Sequence, residues 1–404
     1  MDDLTLLNLD HHHDTSSCFV EAISSIYKPR KYVHGIRDPR PELGYYWTGK
    51  MTTFINAGCF CGSNEFKIPL ETAKLPAETA MCHCNICRHS TGATNTFGLA
   101  FSGPPLTLDS TDEYRVPGNL SNLTQYNSSP NLTRYFCTKC SCKILAKAEG
   151  KDGTQHWYAS VGALEQVDGI VKLARHVYVG DTLDGGISNH IPQYAGVTIP
   201  RFKQSGAGET VDADWGTKGS ANSTADSKDV LRFHCHCKGV EVYAKRATEI
   251  KDPNREWWFV PGKTSSDPIR FATKHCVCTS CRRTSGAMPT TWTFVPETHI
   301  LDGRTMEPIN LSNAEKRPPT LRQFESSPGV YREFCGSCGA TVFYWEPANL
   351  PKMDIATGLL DQEQSGGVLG NDWFKWSEKG VGYREDEVIP EFLDAITKGV
   401  MCGK

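Results

Sequence analysis

The chain of 404 residues is long enough for two or three domains of ordinary size, and its 39% hydrophobic and 22% charged residues mark it as globular rather than disordered. A net charge of −3 leaves no basic footprint for nucleic acid. No apolar run approaches the roughly 20 residues of a membrane span, and Met1-Asp2-Asp3 lacks the basic and apolar stretches of a secretory signal.

Taken in chain order, residues 1–50 read as an N-terminal extension. His11-His12-His13 lies there between aspartates and is expected to be solvated rather than a metal site. Residues 51–194 form a first cysteine-rich unit, with strands expected at Trp157–Val161 and His176–Val179. Residues 195–229 are rich in Gly, Ser, Thr and Asp and read as a flexible linker. Residues 230–392 form a second cysteine-rich unit, with strands expected at Val240–Tyr243, Thr290–Val295 and Ala340–Trp345, and residues 393–404 are left as a tail. Pro and Gly recur at short intervals and no long helical period appears. The expected fold is therefore mostly β, as two tandem small zinc-bound β domains.

The two units are copies. Cys59 and Cys235 stand 176 positions apart, Cys82 and Cys276 stand 194 apart, and so do Gly92 and Gly286. Ser128-Ser129-Pro130 and Ser326-Ser327-Pro328, Arg134 and Arg332, and Cys137 and Cys335 all stand 198 apart. This register indicates a tandem duplication in which the second copy has an insertion of 18 residues between its first two motifs, carrying Trp257-Trp258-Phe259, and four more before the last.

Each copy supplies seven thiols, as C-x-C, C-x-C-x-x-C and C-x-x-C. With 17 cysteines one would be left over from disulfide pairing, and such clusters suit metal ligation in a reducing compartment. The cytosol is therefore expected, with the nucleus as the second candidate. C-x-C on an extended segment puts both sulfurs on one face, and C-x-x-C points two at one metal. We assign Cys59, Cys61, Cys137 and Cys140 to one closed four-thiol zinc site, and Cys235, Cys237, Cys335 and Cys338 to its counterpart. The alternative, a site that recruits Cys142 to the C-x-C-x-x-C motif, is weakened because Thr341 stands near the equivalent place, and Cys142 is expected to pack in the core. Three thiols per copy remain: Cys82, Cys84, Cys87 and Cys276, Cys278, Cys281. A metal on three protein ligands keeps a fourth position open for chemistry, and a thiol bound there is deprotonated. Two zinc ions per domain, four per chain, and chemistry that makes or breaks a carbon–sulfur bond are the expectation.

These motifs resemble, twice over, the glutathione-dependent formaldehyde-activating enzymes, a family that includes the centromere protein V relatives. The resemblance rests on Gly58-Cys59-Phe60-Cys61-Gly62, Cys82–Arg88 with Gly92, and Ser128-Ser129-Pro130 with Arg134, Phe136, Cys137 and Cys140, and on their counterparts from Cys235 to Gly339. It implies a β-rich fold, one structural and one catalytic zinc per domain, and carbon–sulfur lyase activity on a glutathione adduct, with the same division of ligands. The chain departs from the pattern at Ser141, Asn131, Lys238 and Val277, and the second tail, around Trp373, Phe374 and Trp376, differs from the first, His176–Val179 with Asp181.

Arg88 and Arg282 directly follow the three-thiol motifs and are candidates to grip a carboxylate such as that of glutathione; a structural hydrogen bond is the equal alternative. His83 should point away from the thiols. His176 is either a proton shuttle or, with greater weight, a core histidine. The Trp257 insertion either walls a pocket or, with greater weight, packs between the copies. The expected partner is a small-molecule thiol or thiol adduct, with glutathione as a candidate substrate or co-substrate, and neither membrane nor nucleic acid. The competing function is a non-catalytic zinc scaffold that binds a protein or chromatin partner.

Overall fold

The computed structural model describes residues 51–212, 214–216 and 229–402. The N-terminal extension with its histidine tract, and most of the linker, lie outside the described residues. The architecture is mostly β, as expected. In the first half, seven strands run in the order Leu123–Ser129, Leu132–Cys137, Lys143–Glu149, Gln155–Ser160, Thr96–Phe101, Ala77–Cys82 and Val171–Val177. All pair antiparallel except the last, which lies parallel to Ala77–Cys82. The second half repeats the order with Leu321–Ser327, Val330–Cys335, Thr341–Trp345, Lys352–Ala356, Thr290–Pro296 and Arg270–Cys276. Its parallel neighbour is Phe374–Trp376. The second tail therefore returns to the same place as the first, although its residues read differently.

The central strands are covered on both faces: Lys143, Ile144, Leu145 and Ala148 are buried in Lys143–Glu149, and every residue but Tyr344 in Thr341–Trp345. The core of the first half is built on Phe66, Ile68, Leu99, Ile144 and Leu145, that of the second on Phe233, Val242, Phe271, Phe343 and Ile355, all buried.

The halves dock through backbone. A Cβ added to Gly92 would lie 2.1 Å from the carbonyl oxygen of Thr341, and one added to Gly286 would lie 2.2 Å from that of Lys143. Thr341 and Lys143 are themselves counterparts, so the seam has an approximate two-fold relation. Across it, Gly358 N donates to Gly92 O at 3.1 Å, His236 N donates to His89 O at 2.9 Å, and Lys143 Nζ donates to Thr341 Oγ1 at 2.9 Å.

Two segments extend the docking. Helix Pro390–Cys402 crosses the expected boundary between second unit and tail, and places Phe392, Ile396 and Val400 on one face. That face joins the core of the first half, where Phe392 stacks on Phe97 with ring centroids 6.5 Å apart. The first part of the expected linker forms a strap rather than a free coil. His176 N donates to Pro200 O, Phe202 N donates to His176 O, and Tyr178 N and Val179 N donate to Gln204 O and Phe202 O. These bonds satisfy backbone groups that would otherwise be buried without partners.

Candidate metal and thiol sites

In each half the C-x-C turn and the C-x-x-C turn meet. Cys59, Cys61, Cys137 and Cys140 form one group and Cys235, Cys237, Cys335 and Cys338 another, with sulfurs within 4.8 Å of one another. The turn residue after C-x-C is left-handed in both halves, Gly62 at φ 70° and Lys238 at φ 59°. Ser141 at φ 63° and Gly339 at φ 76° correspond likewise after C-x-x-C. The departures at Lys238 and Ser141 thus keep the turn that glycine supplies elsewhere, at a cost of about 1 kcal/mol each. Ser141 Oγ recovers a bond to Thr284 O at 3.3 Å, across the seam.

The remaining motif also gathers its sulfurs. Cys82, Cys84 and Cys87 lie within 4.8 Å of one another, as do Cys276, Cys278 and Cys281. In the first half Cys82 ends a strand, Cys84 caps the short helix Asn85–Thr91, and Cys87 sits in its first turn, where its N–H bonds Cys84 Sγ at 3.3 Å. Cys281 N repeats that bond to Cys278 Sγ at 3.3 Å. Burial pushes the Cys82 thiol well above its usual range. Burial keeps such thiols protonated unless a cation lies among them, and a donor set of thiolates suits zinc. All four clusters could hold zinc. Cys142 belongs to none of them and packs in the core of the first half.

Each three-thiol group has an arginine that the sequence marks only as a repeated position. Arg134 Nη2 donates to Cys87 Sγ at 3.2 Å, and Arg332 Nη1 donates to Cys281 Sγ at 3.5 Å. Ser128 Oγ accepts from Arg134 Nε at 2.9 Å and Ser326 Oγ from Arg332 Nε at 3.1 Å, so the Ser-Ser-Pro motif orients the guanidinium. Burial opposes the charge on Arg134, yet Cys87, Cys84 and Cys82 hold its pKa above the ordinary arginine value. Arg332 is raised in the same way, with Cys281 and Cys278 outweighing burial. The usable signal was the constant register of arginine, serine pair and C-x-x-C.

Arg88 and Arg282 go elsewhere. Arg282 Nη1 donates to the carbonyls of Gly162 and Leu164 at 3.0 and 2.7 Å, across the seam. Arg88 is fully buried and bonds Asn85 Oδ1, which also accepts from Gln362 of the other half. One residue past the last cysteine of a helix is about 100° around from it, so these arginines face the docking surface and not the thiols. The structural hydrogen bond is the role their geometry supports.

His83 Nε2 lies 2.9 Å from His176 Nδ1, and His176 Nε2 donates to Ile191 O at 2.8 Å. His176 Nδ1 is therefore the acceptor and His83 the donor. Both rings are buried, and burial lowers His176 to about 4, so it is neutral and fixed in the core. Trp258 and Phe259 pack within their own half, while Trp257 is 50% exposed and edge-on to Phe294 at 4.9 Å. The insertion does not reach the seam. It lines a cavity of about 560 Å³ in the second half.

A sequence profile of the family described as glutathione-dependent formaldehyde-activating enzyme matches residues 54–181 and 262–374, more than half of the chain. No curated protein matches it. The second matched segment starts after Cys235, Cys237 and Trp257, and the fold brings these to the positions their counterparts or the insertion require. With one match on each half and all fourteen motif thiols gathered in four groups, the chain belongs to the glutathione-dependent formaldehyde-activating enzyme family.

Proposed function

We propose that the protein is a zinc-dependent enzyme of carbon–sulfur lyase type, built from two repeats of one domain (51–194 and 230–392). It makes or cleaves the adduct between a small thiol, with glutathione the first candidate, and a small carbonyl compound. The observation that carries this reading is the three-thiol group that remains in each half after the four-thiol group is complete. In the addition, the thiol sulfur forms the carbon–sulfur bond, the carbonyl π pair moves to oxygen, and that oxygen takes the proton that the thiol released. Cleavage is the reverse, and no oxidant or reductant is needed. Zinc bound by the three cysteines, one of the two ions per half and four per chain, would hold the incoming thiol as thiolate at neutral pH. Arg332 and Arg134, anchored by Ser326 and Ser128, offset the charge of the cysteine ligands.

The second group is the better candidate for turnover. Cys276, Cys278 and Cys281 are 8, 7 and 5% exposed, against 2, 0 and 0% for Cys82, Cys84 and Cys87. A thiol-rich chain with no helix, among the described residues, long and apolar enough to cross a membrane fits our placement in the cytosol.

The test is metal content together with turnover. Mass spectrometry of the native chain should find four zinc ions, two of which leave first with a mild chelator. Cys278→Ser should slow condensation of formaldehyde with glutathione by about 100-fold or more, and Cys84→Ser by about twofold. Cys335→Ser should unfold its half instead. Two zinc ions per chain, with Cys276, Cys278 and Cys281 open to alkylation, would leave a zinc scaffold and end the lyase reading.

A further inference from the structure

The two three-thiol groups are framed by the same turn. In each half a left-handed tyrosine, Tyr178 at φ 56° and Tyr383 at φ 57°, opens one turn of 3₁₀ helix, Val179–Asp181 and Arg384–Asp386. Its aspartate accepts from the first N–H of the cysteine helix, Asp181 from Asn85 at 3.4 Å and Asp386 from Thr279 at 2.9 Å. In the first half Tyr178 packs on Cys82, Cys84 and Cys87.

The first turn carries the strap, residues 195–211. Tyr178 N, Val179 N and Gly180 N donate to Gln204 O, Phe202 O and Lys203 O at 2.6, 3.0 and 2.9 Å. Gly180 permits this close approach, because a Cβ there would lie 2.7 Å from Lys203 O and 2.7 Å from Lys203 Cγ. The residue at the same place in the other turn is Glu385, and Tyr383 beside it is 62% exposed. The turn itself therefore accepts a long side chain, and the glycine serves the strap.

The strap is lightly seated. Its only buried side chains are those of Ile199 and Arg201. A cavity of about 320 Å³ separates its first leg from strand Val171–Val177, lined by Lys172, Leu173, Arg175, Ile199, Pro200 and Phe202. A segment with so few buried side chains opens locally at lower cost than the fold as a whole. The second turn keeps its shape with its tyrosine exposed, so lifting the strap leaves the frame of the first site in place.

We infer that the strap is an autoinhibitory cover. While it is seated, Cys82, Cys84 and Cys87 are closed to thiol and carbonyl. Once it lifts, they become a second reaction centre equivalent to Cys276, Cys278 and Cys281. This rests on the reading of the three-thiol groups as thiol-binding centres.

Gly180→Glu, which installs the residue of the exposed turn, tests the cover in the zinc-loaded full chain, with Glu385→Gly as its control. Hydrogen exchange at the amides of Tyr178, Val179 and Phe202 should accelerate. Alkylation of Cys84 and Cys87 by iodoacetamide should rise by about tenfold or more. Cys276, Cys278 and Cys281 should keep their rate, and Glu385→Gly should change neither group. Added to Cys278→Ser, Gly180→Glu should also restore condensation of formaldehyde with glutathione. Amides that stay protected overturn the inference, and so does alkylation that stays slow once they exchange or that rises equally in both groups. Faster alkylation of Cys84 and Cys87 without restored turnover leaves the cover standing and overturns the lyase reading of the first group.

Discussion

The two halves agree where they touch each other and differ where they face their thiols. At the seam, Gly92 meets Thr341 as Gly286 meets Lys143. Beside the thiols, the row that reads Arg332, Tyr344, Asp354, Phe294 in the second half reads Arg134, Ala146, Tyr158, Ala100 in the first. Only the arginine is shared. The covers differ too. Tyr178 and Tyr383 occupy the same left-handed position, at φ 56° and 57°, and precede Asp181 and Asp386, which accept from the first N–H of the cysteine helices. Yet Tyr178 is 6% exposed beneath the strap and Tyr383 is 62% exposed. Backbone against backbone leaves no room for a side chain, so the seam tolerates little change. A site wall needs only to fit what enters it, so two walls in one chain can diverge.

The largest effect should come from the seam. Gly92→Ala and Gly286→Ala each drive a methyl group into a carbonyl from a left-handed position, so each should cost about 3 kcal/mol or more in chemical denaturation. Similar losses support an evenly shared seam; tolerance of either substitution would break the two-fold comparison.

Next is the cover. Tyr178→Ala should speed zinc loss to a chelator by about tenfold, because Tyr178 packs on Cys82, Cys84 and Cys87, while Tyr383→Ala should change it by about twofold at most. Equal acceleration would mean that the difference in exposure does not govern access.

The smallest effect is a pH dependence in the second wall. Burial lifts the Asp354 carboxyl to about 6 from 3.8, against the pull of Lys352. A carboxyl raised by folding costs stability above its folded pKa, and that cost fades as the pH falls toward the unfolded value. Asp354→Asn should therefore be the more stable protein near pH 7, by about 1–3 kcal/mol. Its advantage should shrink between about pH 6 and pH 4, as read from the difference in denaturation midpoints. A constant advantage would show that Asp354 stays charged in the fold.

Much of the site was legible because cysteine spacing is local geometry. C-x-C, C-x-x-C and C-x-C-x-x-C specify which sulfurs share a face or a helical turn, and the expected groups are the ones that gather. The spacing did not show that Arg134 and Arg332 reach the thiols, because they arrive from another strand. It favoured Arg88 and Arg282 by adjacency, and the helix turns both away. The second tail was obscured by Trp373, Phe374 and Trp376, although Gly382 bridges to Cys276 where Val177 pairs with Cys82.

By itself, then, the sequence determined the mostly β class, the repeated register, and the grouping of fourteen thiols into four plus three in each half. These follow from side-chain alternation and from the reach of a few residues. Tertiary structure decided what depends on contacts between distant segments. It placed the last helix on the first core, the strap over the first site, the insertion beside the second, and the two arginines at the sulfurs. Burial of apolar faces and backbone hydrogen bonds drive those contacts, and neither is specified by the spacing of neighbouring residues.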